Sequence, residues 1–152
     1  MVTSKPLIVL LKALYASNFV TYYKSHAFHF NIEGSNFSQD HEFFQKIYEF
    51  LQGEHDNLGE QIRQLDKPVT STLKDVISLS LVEESNITTK SNLDLLVILE
   101  EDFCQLHEQA QELYDNASSQ CYGALETYIG DYMVALSKLH WMIKATLKRS
   151  IK

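Results

Sequence analysis

The sequence predicts an all-α protein, a four-helix bundle formed by one chain. Four segments space apolar residues three and four apart, and none alternates apolar and polar residues as a strand would. Two of the three connections are short and the other is long.

The first helix carries Leu7, Leu11, Leu14, Asn18 and Tyr22 on one stripe. Its opening, "KPLIVLLKALYAS", mimics a secretory signal with an apolar run and a small-x-small end, but Lys12 interrupts the run. The same residues read as an amphipathic helix, and no other stretch is long and apolar enough to span a bilayer. The turn "IEGSNFS" is short, so the next helix returns antiparallel, with Ser38 expected as its N-cap. That second helix carries Phe37, His41, Phe44, Tyr48, Leu51, His55, Leu58, Ile62 and Leu65.

Some two dozen residues follow, "DKPVTSTLKDVISLSLVEESNITTKS", too many for a tight hairpin. Leu73, Val76, Ile77 and Leu79, after a Thr-rich start, predict a short amphipathic helix inside this crossover. The third long helix repeats Leu96, Leu99, Phe103, Leu106, Ala110, Leu113 and Ala117. "NASSQCYG" turns it into the fourth, which carries Leu125, Tyr128, Tyr132, Leu136, Leu139 and Ile143. A long crossover makes two neighbouring helices parallel, which is the connection of ferritin-like bundles.

At 152 residues the chain is expected to form a single domain, residues 1–152, with a core that needs no disulfide. Acidic residues outnumber basic ones by 20 to 13, for a formal charge of -7, so the body repels polyanions and nucleic acid is not the first partner expected. Cys104 and Cys121 form no C-x-x-C pair and no disulfide framework, which fits a reducing, cytoplasmic setting. No internal repeat or low-complexity segment divides the chain.

Chemistry concentrates in "HAFHFNIEGSNFSQDHEFFQ", which holds His26, His29 and His41 on the two sides of one turn. An antiparallel hairpin brings His29 and His41 together, and neutral imidazoles suit iron, zinc, copper and nickel. Gln45 lies one turn beyond His41, and Asp56 and Glu60 stand four residues apart further along. At 100° per residue, His41, Gln45, Asp56 and Glu60 share one flank of the helix. The fifteen residues from His41 to Asp56 span roughly 22 Å, whereas metal–ligand bonds are about 2 Å. One chain cannot close that gap. A two-fold partner can, by setting Asp56 and Glu60 of one subunit against His29 and His41 of the other, which makes two equivalent sites.

Each element also has a plainer reading. Histidines near a turn are often surface or capping residues, and an Asp/Glu pair on a helix is often a solvated face. His26 either adds a ligand, helps fix the site or solvates the helix end. His55 lies on the hydrophobic seam and reads as a hydrogen-bonded core residue, while no carboxylate pattern is evident around His107 and His140. Only the joint arrangement of His29, His41, Asp56 and Glu60 favours a metal.

Over nearly its whole length the chain resembles the Dps proteins (DNA-binding proteins from starved cells, or mini-ferritins). "HAFHFNIEGSNF" is similar to the family's H-x-x-H-W-x-x-x-G-x-x-F, and it is followed by the similar "DHEFFQKIYEFL". "EHDNLGEQIRQLDKPVTSTLKD" is similar to D-x-x-A-E-R-I with its following Pro and Thr/Ser-Leu start, and "LHWMIKATL" to W-M-x-x-A. The resemblance implies a ferritin-like bundle assembled as a hollow homo-dodecamer. It also implies a ferroxidase that oxidises Fe(II) with hydrogen peroxide or oxygen between two-fold-related subunits and stores the Fe(III) mineral inside. Carried over by position, the ligands are His29 and His41 of one subunit with Asp56 and Glu60 of its neighbour.

Two residues depart from the family pattern. Gln45 replaces a customary aspartate with a neutral, weaker ligand for iron. Phe30 replaces the usual Trp and is harder to oxidise, which leaves Tyr22 and Tyr48 as the nearby candidates for radicals. DNA binding in the family often uses a basic tail. Here "MVTSK" offers one lysine, and "KATLKRSIK" offers Lys144, Lys148, Arg149 and Lys152, enough for weak, salt-sensitive phosphate contacts. The competing readings are therefore a metal-binding cage with slow turnover and a DNA-binding nucleoid protein. Asp115 and Glu126 are expected near the ion pores, where clustered carboxylates focus cations.

Overall fold

The computed structural model describes residues 5–87 and 90–148. They form α1 (Leu7–Asn31), α2 (Phe37–Gln64), α3 (Leu73–Leu79), α4 (Asn92–Ser119) and α5 (Gly123–Lys148), with no strand among the described residues. Helices α1 and α2 make one antiparallel hairpin and α4 and α5 another, with α1 packed on α4 and α2 on α5. The apolar stripes meet in one core whose fully buried members include Leu11, Leu14, Phe28, Phe44, Leu51, Leu58, Leu99, Phe103, Leu113, Ile129 and Leu136. Burying a Leu, Ile or Phe side chain contributes about 1.5–3 kcal/mol, so these stripes are what hold the bundle together.

The caps explain where the helices begin and end. Ser38 does not cap α2. Asn36 precedes the first turn instead, with no side-chain bond, and Ser38 lies inside the helix. The strongest cap is at α4, where Ser91 accepts from the Asp94 amide and Asp94 returns a bond to the Ser91 amide. Helix α3 starts at Thr72, whose hydroxyl accepts from the Asp75 amide. Helices α2 and α4 both close with paired back-bonds, Lys67 N–H to the Ile62 carbonyl with Asp66 N–H to Arg63, and Tyr122 N–H to Ala117 with Cys121 N–H to Ser118. Asp66 and Cys121 take the left-handed backbone that this closure needs, at φ 59° and 61°.

Helix α1 is buried on more than its apolar stripe, because the crossover lies over its other side. Ser17, Thr21 and Lys24, which lie off that stripe, are all buried, as are Asn18 and Ser25 on it. Ser17 Oγ accepts from the Leu81 amide at 2.9 Å, and Lys24 Nζ donates to the Glu83 carbonyl at 2.7 Å. Asn18 sits where three helices meet: its amide donates to the Leu51 carbonyl at 2.8 Å and its oxygen accepts from Tyr132 at 3.1 Å. In α3 only Val76 is buried, whereas Leu73 is 65% exposed on a single chain.

The buried ion pair of Lys24 with Asp102, 2.7 Å apart, ties α1 to α4. Its geometry is imperfect, because Asp102 Oδ2 makes no aligned hydrogen bond while Lys24 spends a donor on Glu83. Burial therefore outweighs Lys24 and raises the Asp102 carboxyl above its usual pKa. A raised folded-state pKa means that the stability from proton binding is present at low pH and lost as pH rises through that pKa. At neutral pH the pair positions the helices more than it stabilises them. Lys24→Met should cost about 3–5 kcal/mol by leaving a bare buried carboxylate, and Lys24→Met with Asp102→Leu should recover most of it. Urea unfolding checks this, and a single variant as stable as the parent would contradict the pairing.

Candidate metal centre

The hairpin between α1 and α2 is built so that two imidazoles brace each other. The turn holds Gly34 at φ 111°, a backbone that side chains rarely adopt. It is pinned to the start of α4 by the Asn92 amide, which donates to the Glu33 carbonyl at 3.0 Å and to Asp40 Oδ2 at 2.8 Å. Across the hairpin, His29 Nδ1 lies 2.8 Å from the His41 carbonyl and His41 Nδ1 lies 2.7 Å from the His29 carbonyl. A carbonyl only accepts, so each ring donates through Nδ1, and in the neutral imidazole this leaves Nε2 as the acceptor. This is how a protein presents histidine to a metal, with the far nitrogen held by the backbone. The rings stack at 3.6 Å and 20°, and His29 is buried.

Aromatic side chains wall the pair. His26 lies between Tyr48, at 3.9 Å and 13°, and Phe30, at 4.7 Å and 21°, while its Nδ1 bonds the Tyr22 hydroxyl at 3.1 Å. Burial, and then the neighbouring His29, lower its pKa. Enclosed in this way, His26 acts as packing for His29, 6.0 Å away between ring centres. Tyr48 also meets His29 edge-on at 5.0 Å, which places both Tyr48 and Tyr22 beside the pair. Phe30 is largely exposed on the single chain.

Gln45 is half-buried one turn along α2, and its amide nitrogen donates to Glu49 at 2.7 Å. Its oxygen is the atom it has left for a cation. Asp56 and Glu60 are exposed further down the same helix. Within one chain they do not join the histidines in any cluster of three ligand residues among the described residues. That separation agrees with a rigid helix rising 1.5 Å per residue.

His55 is half-buried beside the core, with no hydrogen-bond partner at Nδ1. It stacks on Tyr15 at 4.7 Å, its Nε2 lies 3.4 Å from the Tyr15 hydroxyl, and burial lowers its pKa. The expectation for His140 is corrected, because a carboxylate does stand beside it. Its Nε2 is 2.8 Å from Glu100 Oε1, with Cys104 adjoining and His107 stacked at 5.3 Å. The sequence signal was Glu100 and Cys104 four apart on α4. Pairing them with His140 required the register of the short α4–α5 turn, since residues about equally far from that turn face each other. Of the expected basic tail, Lys144 and Lys148 are exposed on α5, whereas Arg149 and Lys152 lie outside the described residues, as do the first four residues of "MVTSK".

The Ferritin-like domain family matches residues 8–150. The chain is 33% identical over 138 residues to the DNA protection during starvation protein of Helicobacter pylori, covering 91% of this chain and 96% of that one. It is 28% identical over 147 residues to the protein of the same name from Brevibacillus brevis, covering 92% and 93%. Among solved structures, a Dps protein from Vibrio cholerae, described as a member of a broad superfamily of ferritin-like diiron-carboxylate proteins, superimposes with a TM-score of 0.89 at 26% identity, over 93% of this chain and 89% of that one.

The bracing of the two rings gives a direct test of their role. In His41→Asn the amide can still bond the His29 carbonyl, but no ring nitrogen remains to offer. Its unfolding midpoint should stay near the parent's while divalent-metal affinity, measured by isothermal titration, falls at least about tenfold. Unchanged affinity would place His41 outside the metal centre.

Proposed function

This chain belongs to the Dps family of the ferritin-like superfamily, and from that premise we propose that it oxidises and stores iron. In this reading residues 1–152 form one Dps-type domain, and copies assemble into a closed homo-oligomeric shell, a dodecamer. The shell takes up Fe(II), oxidises it with hydrogen peroxide or oxygen, and keeps the Fe(III) mineral inside, protecting a cytoplasm from both reagents. Iron is substrate and cargo here.

The reciprocal bonding of His29 and His41 is the observation that carries the proposal. It fixes both rings through Nδ1, so that in the neutral form each turns its Nε2 lone pair away from the backbone on a rigid frame. Asp56 and Glu60 of a two-fold partner supply the anionic oxygens that a hard cation requires and that balance its charge. The net charge of -7 draws cations to the shell. Assembly is supported by large apolar side chains left open on one chain, including Leu73 on α3 and Trp141 on α5, the latter 62% exposed.

One observation favours a second reading, a cage that binds metal but turns it over slowly. Gln45 is neutral and its amide is engaged by Glu49, so the site has one carboxylate fewer than the family pattern. DNA binding rests on Lys144 and Lys148 of the described residues and would be weak and salt-sensitive.

Absorbance growth after adding Fe(II) with peroxide or with air tests the proposal. The wild-type assembly should show rapid iron-dependent growth, and Glu60→Ala should lose most of the initial rate while eluting at the same large size. A monodisperse monomer in light scattering, or no absorbance growth, would refute the reading. Gln45→Asp should restore a charged oxygen and tighten Fe(II) binding. Equal affinity and rate in that variant and the wild type would place residue 45 outside the coordination sphere.

A further inference from the structure

A different set of ligand atoms converges between α4 and α5, on elements that do not form the hairpin. Glu100 and Cys104 lie one turn apart on α4, and His140 faces them from α5. Glu100 Oε1 is 2.8 Å from His140 Nε2 and 3.5 Å from Cys104 Sγ, and Sγ is 3.8 Å from Nε2. His140 is only 8% exposed, whereas Cys104 opens to solvent. One oxygen, one sulfur and one ring nitrogen thus form a small triangle with a solvent-facing side.

We propose that Glu100, Cys104 and His140 form a second metal site, one per chain, for a borderline divalent cation of the Zn2+ and Co2+ class. Zinc binds sulfur at about 2.3 Å and nitrogen or oxygen at about 2.0–2.1 Å, so the donors of a tetrahedral site stand roughly 3.3–3.5 Å apart. The observed separations of 2.8, 3.5 and 3.8 Å bracket those values. Closing on a cation requires the Glu100–His140 contact to open by about half an ångström and the Cys104–His140 contact to shorten by a few tenths. Water takes the fourth position from the open side. Loading displaces the thiol proton to solvent, and His140 Nε2 is freed either by loss of the second proton of an imidazolium or by the neutral ring's proton passing to Nδ1, which leaves thiolate, carboxylate and neutral imidazole as ligands.

Two other readings explain less. In a Cys–His nucleophile pair, the third group orients the imidazole through its other nitrogen. Here carboxylate and thiol crowd the same Nε2. A structural Glu100–His140 ion pair accounts for the 2.8 Å contact but not for a sulfur placed against both partners. A bound cation uses all three, and thiolate softness separates this site from the nitrogen- and oxygen-rich hairpin site.

Cobalt reports on the sulfur directly. Titrating Co2+ into the metal-stripped, intact assembly should raise a thiolate-to-cobalt charge-transfer band that is bleached by Zn2+ and that, in His41→Ala with the hairpin disabled, saturates at one equivalent per chain. Cys121→Ser and His41→Ala should keep the band, Cys104→Ser should abolish it, and His140→Gln should weaken cobalt binding at least tenfold. Cys104→Ser changes an exposed side chain by one atom, and elution of the variant at the parent size guards against misfolding. A wild-type protein with no such band, or a band that survives Cys104→Ser, would overturn the proposal. Because His41→Ala disables only the hairpin, failure of the iron reading leaves this outcome unaffected.

Discussion

A straight helix cannot bring its two ends to one point, and the rest of the molecule is organised around that limit. Helix α2 is 28 residues long, and it carries a histidine near its start and a pair of carboxylates past its middle. Neither set completes a metal centre alone. The histidine gains a second imidazole from α1 because the 32–36 turn is tight enough to fold α1 back against it. Among the described residues the carboxylates join no cluster of three ligand residues, and they remain exposed on the flank they share with His41 and Gln45. The two-fold axis proposed across α2 would relieve the limit without bending anything, which is why the iron proposal and the assembly proposal stand or fall together.

Rigidity elsewhere serves the hairpin. The reciprocal ring-to-carbonyl bonds work only if α1 and α2 hold register to a fraction of an ångström, and the buried side chains along both helices impose that register. Asn18, wedged between the Leu51 carbonyl and Tyr132, locks α1 to both α2 and α5 with a satisfied buried amide. The crossover adds a second layer, covering the polar side of α1 through Ser17 and Lys24. Helix α1 is thus the central strut of the bundle, and its last two turns present His26 and His29 from a fixed position.

The long helices and the crossover helix were legible in the sequence because their apolar spacing is regular and tertiary packing reinforces it. Leu96, Leu99, Phe103, Leu106, Ala110, Leu113 and Ala117 are all buried, as their spacing implied. The pairing of His29 with His41 was legible too, since a short turn leaves few ways to fold back. Details that depend on side-chain competition were not. Ser38 looks like a cap, but the helix starts earlier, at Phe37 after Asn36. The burial of Lys24 was hidden because it comes from a loop some sixty residues away and from Asp102 on α4. His140 looked isolated because its partners lie on the antiparallel neighbour, outside any local motif.

The central claim is that the histidines of one subunit act with the carboxylates of another, and mixing two inactive variants tests it most directly. In a two-fold pair holding one His41→Ala and one Glu60→Ala subunit, both lesions fall in one site and the other site is intact. Random co-assembly puts one of each variant in half of the pairs and so should restore about a quarter of the wild-type sites. Initial Fe(II) oxidation rates in co-assembled shells should return to roughly that fraction, although neither variant alone oxidises rapidly. If mixed shells are confirmed by mass spectrometry and no activity returns, the histidines and carboxylates of paired α2 helices do not share a site.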